Sequence, residues 1–353
     1  MPCFGLARSS GQPPLITGKQ PPPATKPSFI RRILGKTTTK MNVEHVGAQI
    51  DEHIDNIDPA DYDTLLDIHA AIVEQVGEEK AKVDIGIICG SGLGNLADLL
   101  TDTFVLPYEK IPGFPKPSVP GHKGNLVFGN MHGLRIVCQQ GRFHPYEHDM
   151  NLTLCSTPVR IMHLLGVHTL IVSNAAGGVS KRFTFGDIMI IKDHIFLPGL
   201  AGFSPLVGLH DKRFGQRFVS VHDCYDHNLR KIALEVSKKE NDGVEFADGV
   251  YVMSGGPQYE SPAEVTLFKT CGADALGMST AHEVTVARQC GIRVFGFSLI
   301  TNIANLEVDT AVVVSHEEVL EAAAHKISEL PAHKPNPPVF ERRRPRHRST
   351  CIA

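Results

Sequence analysis

Val83-Asp84-Ile85-Gly86-Ile87-Ile88-Cys89-Gly90-Ser91-Gly92-Leu93-Gly94 is the stretch that decides the fold. It begins as a short, nearly unbroken apolar run and ends in glycines. Such a run bounded by turn residues reads as a strand. The loop after it offers backbone N–H groups and the Ser91 hydroxyl, a combination that suits a phosphate at a helix start. It lacks the Lys-Ser/Thr ending of a P-loop, and Asn95 stands where a dinucleotide-binding turn has its third glycine. On this loop alone, a tight strand-to-helix turn is the favoured reading.

Working outward, a helix is expected over 59–76, N-capped by Asp58 with Pro59 in its first position. Residues 126–128 and 134–138 read as strands joined by a tight turn at 130–133. A helix over 152–165 precedes a strand over 168–173, which runs into the loop Asn174-Ala175-Ala176-Gly177-Gly178. Residues 187–192 form another strand. A helix over 227–239 leads to a strand over 250–253 and the loop Gly255-Gly256-Pro257-Gln258-Tyr259-Glu260. Helices over 262–271 and 282–290 follow, then a strand over 293–299 that ends at Thr301-Asn302. The last helix opens at Ser315-His316-Glu317-Glu318, where Ser315 and Glu318 have the spacing of a capping box. Strands and helices alternate, which predicts an α/β fold. The expectation is a single domain with a mixed, mainly parallel central β-sheet flanked by helices.

The chain has 353 residues, 42% hydrophobic and 21% charged, as expected of one large globular domain. No apolar run is long enough to span a bilayer, so no membrane contact is expected. None of the eight cysteines shows C-x-x-C spacing, which favours free thiols in a reducing compartment over disulfides or zinc. Charge is unevenly placed. Residues 1–40 carry seven Lys/Arg and no acid, and residues 331–353 carry six against Glu341 alone. The net charge of −3 therefore leaves −15 for the stretch between. The expected organisation is a disordered basic extension (1–40), a folded body (41–330) and a disordered basic tail (331–353). An acid-free basic N-terminus has a feature of mitochondrial targeting, but Pro21-Pro22-Pro23 opposes the amphipathic helix that targeting needs. A start at Met41 is the other alternative, and the cytoplasm is the expected location. The acidic body argues against nucleic acid as a partner, although Arg342–Arg348 has the charge for an anionic surface.

In an α/β sheet ligands lie beyond strand ends. The loop Gln140-Gly141-Arg142-Phe143-His144-Pro145-Tyr146-Glu147 follows a strand and offers a guanidinium, an imidazole, a phenol and a carboxylate. Arg142 has the planar fork that fits an anion. His122 lies in another Gly/Pro-rich loop, Val119-Pro120-Gly121-His122. His144 and His148 are four apart, but Pro145 prevents a shared helix face and no metal site is completed. Glu260 and Asn302, each expected in a loop after a strand, together can read the edge of a heterocycle.

Taken together, these motifs resemble the trimeric, low-molecular-mass type of purine nucleoside phosphorylase. The resemblance spans about residues 58–330. It rests on I-I-C-G-S-G-L-G (87–94), V-P-G-H (119–122), Q-G-R-F-H-x-Y-E (140–147), S-N-A-A-G-G (173–178), G-G-P-x-Y-E (255–260), G-A-D-A-L-G-M-S-T (272–280), F-S-L-I-T-N (297–302) and S-H-E-E-V-L (315–320). It implies reversible phosphorolysis of purine ribo- and deoxyribonucleosides in purine salvage, with 6-oxopurines preferred. Phosphate is a co-substrate, and no cofactor or metal is implied. Phosphate would meet Ser91, Arg142, His144, Ser279 and the backbone N–H of Ala175, with help from His122. The sugar would meet Tyr146, Met278 and His316, and the purine Tyr259, Glu260 and Asn302. Asn302, Glu260, His316 and His144 would carry catalysis, and Glu147 would give support by orienting His122 or a water. A homotrimer with sites near the subunit interfaces is implied as well.

The chain departs from the family pattern in two places. Leu200 stands where the family has a Phe that covers the neighbour's sugar, and Phe203 is the candidate replacement. His282 stands where the S-T-V-P-E segment has its Pro, a loss expected to loosen the helix start. Two rival readings remain. One is a methylthioadenosine phosphorylase, against which Glu260, Asn302 and His316 argue. The other is an inactive family member that binds a nucleoside or nucleic acid through its tails.

Overall fold

The computed structural model describes residues 58–208, 210–240 and 246–308, and residues 317, 319 and 321. The expected tails, residues 41–57, and Ser315 and His316 at the start of the last helix lie outside the described residues.

Strand β1 (Ile85–Cys89) lies between β4 (Leu134–Gln140) and β5 (Thr169–Gly178), parallel to both. All but its first residue are buried, as its apolar run predicts. Beyond β4 the sheet continues antiparallel through β3 (Asn125–Met131) to β2 (Thr101–Pro107). On its other edge β5 runs parallel to β9 (Arg293–Ile303). From β9 the order is β6 (Ile188–Phe196), β7 (Phe246–Met253) and β8 (Ala275–Gly277), and β8 returns antiparallel to the tip of β5. Among the described residues, five strands thus close on themselves, and the other four form an open wing on β5. The α/β class and mixed sheet are as the sequence predicts. The closure is not, because side-chain periodicity carries no information about which edges meet.

Helices flank this sheet. In α1 (Tyr62–Val76), Leu65, Ile68, Ile72 and Val76 recur at helical spacing and are all buried. They share one core with Ile161 and Met162 of α4 (Thr157–Leu164) and Val284 and Val286 of α8 (Ala281–Gln289). Each such side chain contributes about 1.5–3 kcal/mol by leaving water.

Several boundaries differ from expectation. Helix α1 is capped by Asp61, whose carboxylate accepts from the N–H and hydroxyl of Thr64 at 2.8 and 2.6 Å. Asp58 instead accepts from the N–H of Ala60, which closes a turn before the helix. The helix expected over 152–165 is two helices, α3 (Leu152–Cys155) and α4. Pro158 has no N–H for the carbonyl of Leu154, and the ladder breaks at Ser156. Strands β5 and β9 continue past Ser173 and Leu299 and pair through Gly178 and Ile303, so Ala175 and Asn302 sit in strands and not in loops. Strands β2 and β8 were not anticipated. β2 is an edge strand whose first three residues are polar and exposed, and β8 has only three residues.

Candidate active site

Two strands share one edge of β5. Strand β1 pairs with it as far as Val172, and β8 takes over at Gly177. Residues 173–176 have no strand neighbour on that edge, and a cavity of about 390 Å³ opens there. The loop after β1 crosses β5 so closely that a Cβ on Gly90 would lie 2.7 Å from the Asn174 Cα. Only glycine permits that approach, and it brings Ser91 to the cavity wall.

The cavity gathers ten of the expected residues. Ser91, Arg142, His144, Ala175 and Ser279 line one part, and Tyr146, Tyr259, Glu260, Met278 and Asn302 also line it. His122 stands behind this wall. The backbone N–H of Arg142 donates to His122 Nδ1 at 3.0 Å, so the neutral ring carries its proton on Nε2, 3.3 Å from Ser91 Oγ. That arrangement leaves the Ser91 proton free for a ligand. His316 lies outside the described residues.

Arg142 is almost wholly buried. Its Nε and Nη2 donate to the two oxygens of Glu283 at 3.2 and 2.8 Å, and Nη1 donates to the Ser173 carbonyl at 2.6 Å. One N–H on each terminal nitrogen is left over for an anion. Burial alone would push the Glu283 carboxyl up, but the Arg142 charge beside it outweighs this and holds it below its usual value.

Glu147 orients His144, and this corrects the expected partner, His122. Its Oε2 accepts from the backbone N–H and Nδ1 of His144, both at 2.9 Å. Its Oε1 accepts from Ser118 N and Oγ and from Val119 N. Burial opposes this carboxylate's charge, but the hydrogen bonds from His144 and Ser118 win and hold its pKa well below the usual range. His144 itself is shifted down by burial, against the pull of Glu147. The ring is therefore neutral at pH 7, with Nδ1–H on Glu147 and the Nε2 lone pair free. Glu147→Gln should raise the phosphate KM by about tenfold or more, the worth of a lost charged hydrogen bond. Steady-state kinetics with phosphate varied checks this, and an unchanged phosphate KM would separate His144 from the anion.

Other cavity residues were not singled out in the sequence. Thr301 Oγ1 lies 3.3 Å from Asn302 Oδ1 and 3.5 Å from the Ala176 carbonyl; its single proton, given to the nearer oxygen, leaves Nδ2 as the free end of the amide. Asn174 donates to Thr280 Oγ1 at 2.9 Å, while its buried Oδ1 has no partner. Both lie inside quoted motifs, S-N-A-A-G-G and F-S-L-I-T-N, so the signal was present without a role attached. Glu260 has an Oε1 that is buried and has no partner among the described residues, and burial raises its pKa. Gly256, at φ +62°, keeps the floor open, because a Cβ there would meet Met278 Sδ at 2.6 Å and Tyr146 Cδ1 at 2.8 Å.

The loss of Pro at His282 does not displace the helix, since α8 starts at Ala281. The effect is electrostatic. His282 is fully buried and neither ring nitrogen has a partner. Burial pushes its pKa down to about 4. An unfolded histidine titrates near 6.5, so between those values the unfolded chain binds more protons. Full stability is present above pH 6.5 and drains away as pH falls toward 4, by roughly 3 kcal/mol. His282→Pro should remove this drain, and its N–H lies in the first turn, where no intrahelical partner exists. Urea unfolding of both chains at pH 7 and 4.5 checks it, and parallel pH curves would refute it.

A sequence profile of the phosphorylase superfamily matches residues 84–332. The purine nucleoside phosphorylase of Rattus norvegicus is 49% identical over 254 residues, which cover 71% of this chain and 88% of the relative. Purine nucleoside phosphorylase 1 of Bacillus subtilis is 45% identical over 252 residues, 71% of this chain and 89% of the relative. Among solved structures, the Schistosoma mansoni purine nucleoside phosphorylase with inosine superposes with a TM-score of 0.71 at 45% identity, covering 76% of this chain and 94% of that one. The same protein with adenosine gives 0.72 at 45% identity, covering 76% and 94%.

Proposed function

The chain belongs to the phosphorylase superfamily, as a purine nucleoside phosphorylase of the low-molecular-mass type, and we propose that it prefers 6-oxopurine nucleosides. Phosphorolysis of purine nucleosides is the activity of this family. The reaction breaks the bond between the sugar and N9 and joins C1′ to a phosphate oxygen. The base leaves with the bonding electron pair. Such cleavage builds positive charge on the sugar and negative charge on the base.

The observation that carries the preference is the unpaired Glu260 Oε1 in the same cavity as Asn302 Nδ2. A buried carboxylate oxygen needs a donor. A 6-oxopurine supplies one at N1–H, and guanine adds its 2-amino group. The same bases present O6 and N7, two acceptors, to the amide N–H. Adenine has no N1–H and presents a 6-amino group where Asn302 offers a donor. Phosphate sits against Ser91, Arg142, His144, Ser279 and the backbone of Ala175, where the dianion stabilises the cationic sugar before it attacks. The neutral His144 ring, with its free Nε2, accepts the proton of a phosphate monoanion. Tyr146 and Met278 bound the sugar, and Tyr259 lies against the base. His316 keeps its proposed place at the 5′-hydroxyl. No cofactor enters this scheme, and a homotrimer is the proposed assembly.

The test is phosphate-dependent turnover of inosine, guanosine and adenosine by the full chain and by a chain lacking residues 1–40. Inosine and guanosine should lead by at least about tenfold, the value of one mismatched buried hydrogen-bonding edge. The Schistosoma mansoni relative has been solved with adenosine, so adenosine binding alone does not decide the matter. Adenosine as the best substrate by kcat/KM would overturn the proposal.

A further inference from the structure

Ser279 lines the cavity, and the residue behind it sits in a costly backbone conformation. Thr280 has φ +79° and ψ −54°. The Ala281 N–H donates to the Ser279 carbonyl at 3.0 Å, which closes a three-residue γ-turn of the rare, strained kind. A β-branched residue is an outlier there, whereas glycine takes a positive φ without steric cost. Strain of this sort persists only where the surroundings hold it, and it gathers at functional sites.

The Thr280 hydroxyl is what the surroundings hold. The residue is wholly buried. Asn174 Nδ2 donates to Thr280 Oγ1 at 2.9 Å, and 3.2 Å separates that oxygen from Ser279 Oγ. Asn174 belongs to the 173–176 gap in β5, so the strand that opens the cavity also grips the turn. A hydroxyl has one proton and two lone pairs. With a lone pair taken by Asn174, the Thr280 proton goes to the oxygen within its reach, Ser279 Oγ. Ser279 then accepts from behind, and its own proton is turned to the cavity. The Ser279 N–H is satisfied separately, by the Tyr251 hydroxyl at 3.3 Å, so the serine hydroxyl is the group offered to a ligand. Hydrogen bonds in such a chain polarise one another, which strengthens the last donor.

We propose that Asn174 and Thr280 are positioning residues for the anion. The chain from the Asn174 N–H through the Thr280 hydroxyl to the Ser279 hydroxyl fixes the last proton on a phosphate oxygen. The proposal rests on the placement of phosphate against Ser279 given above. A turn alone is better served by glycine at this position, and threonine supplies the hydroxyl that glycine lacks.

The experiment measures the phosphate KM and the inosine KM of single and double variants. Ser279→Ala should raise the phosphate KM about tenfold, the worth of one hydrogen bond to a charged group. Thr280→Val keeps the branched shape and loses the hydroxyl. It should raise the phosphate KM roughly fivefold and leave the inosine KM within about twofold, and Asn174→Ala should act in the same direction. Thr280→Ser should recover most of the loss. Thr280→Gly relieves the backbone and keeps the test valid if the valine variant does not fold. It should raise the phosphate KM as valine does, whereas a turn with no further role would accept glycine silently. In a Ser279→Ala background, Thr280→Val and Asn174→Ala should add nothing to the phosphate KM, because they act through a hydroxyl already removed. An unchanged phosphate KM in Ser279→Ala would overturn the phosphate placement and the chain with it. A raised value in Ser279→Ala beside parental values in Thr280→Val and Thr280→Gly, or additive losses in the double variants, would overturn the chain alone.

Discussion

Replacing Asn302 with alanine should lower kcat by about 10²–10³, while the phosphate KM stays within about threefold. The side chain lies in β9, and its Oδ1 accepts from Thr301, so Nδ2 is the group offered to the leaving base. The base is nearly neutral in the bound nucleoside and gathers negative charge as the bond to the sugar breaks. A fixed N–H dipole in a water-poor cavity then gains most in the transition state, which is the condition for raising kcat and not merely binding. In the proposed placement phosphate meets other residues, so its KM should not register the loss. Thr301→Val should give a smaller fall in kcat of about tenfold, because the amide remains but its orientation is no longer fixed. Steady-state kinetics with each substrate varied in turn distinguishes the cases. A drop confined to the nucleoside KM would place Asn302 in ground-state binding.

The contrast between Asn302 and Glu260 shows what a sequence can and cannot disclose here. Glu260 was expected in a loop after a strand, and it lies there, between β7 and α7 (Pro262–Thr270). Asn302 was expected in a loop because Thr301 and Asn302 end an apolar run. In the fold the strand continues, since β9 pairs with β5 as far as Ile303 and its polar side chains face a cavity instead of solvent. One-dimensional polarity cannot separate those two environments. The wing strand β1 and its glycine loop were legible because burial on both faces leaves a continuous apolar run. The closure of β5 with β8 and β9 was not, although it creates the gap at 173–176 that forms the site. The same limit explains Glu283. It stands inside a recognised segment, but its role depends on Arg142, 141 positions earlier. His282 shows the opposite case. The missing proline was visible, but its consequence is a buried, unpartnered imidazole and not a looser helix start.

Glu283→Ala should destabilise the chain by about 3–5 kcal/mol, the cost of leaving a buried guanidinium without its carboxylate. Arg142 and Glu283 have side chains only 1% and 2% exposed, and their contact is bidentate. The Ser173 carbonyl cannot compensate, because it satisfies a single N–H. The carboxyl of Glu283 is held below its ordinary value, so the pair's contribution is present above the usual carboxylate range and is lost as pH falls through the depressed folded value. Arg142→Met combined with Glu283→Leu removes both charges and should recover most of the lost stability, since well-packed apolar pairs often replace buried ion pairs at little cost. That double variant separates folding from function. It should unfold in urea near the parent's midpoint, and its phosphate KM should rise by about 100-fold, because the cavity has lost the two guanidinium N–H groups left over for the anion. A double variant that is stable and keeps the parent's phosphate KM would show that Arg142 serves the fold alone and that the anion is held by Ser91, His144 and Ser279.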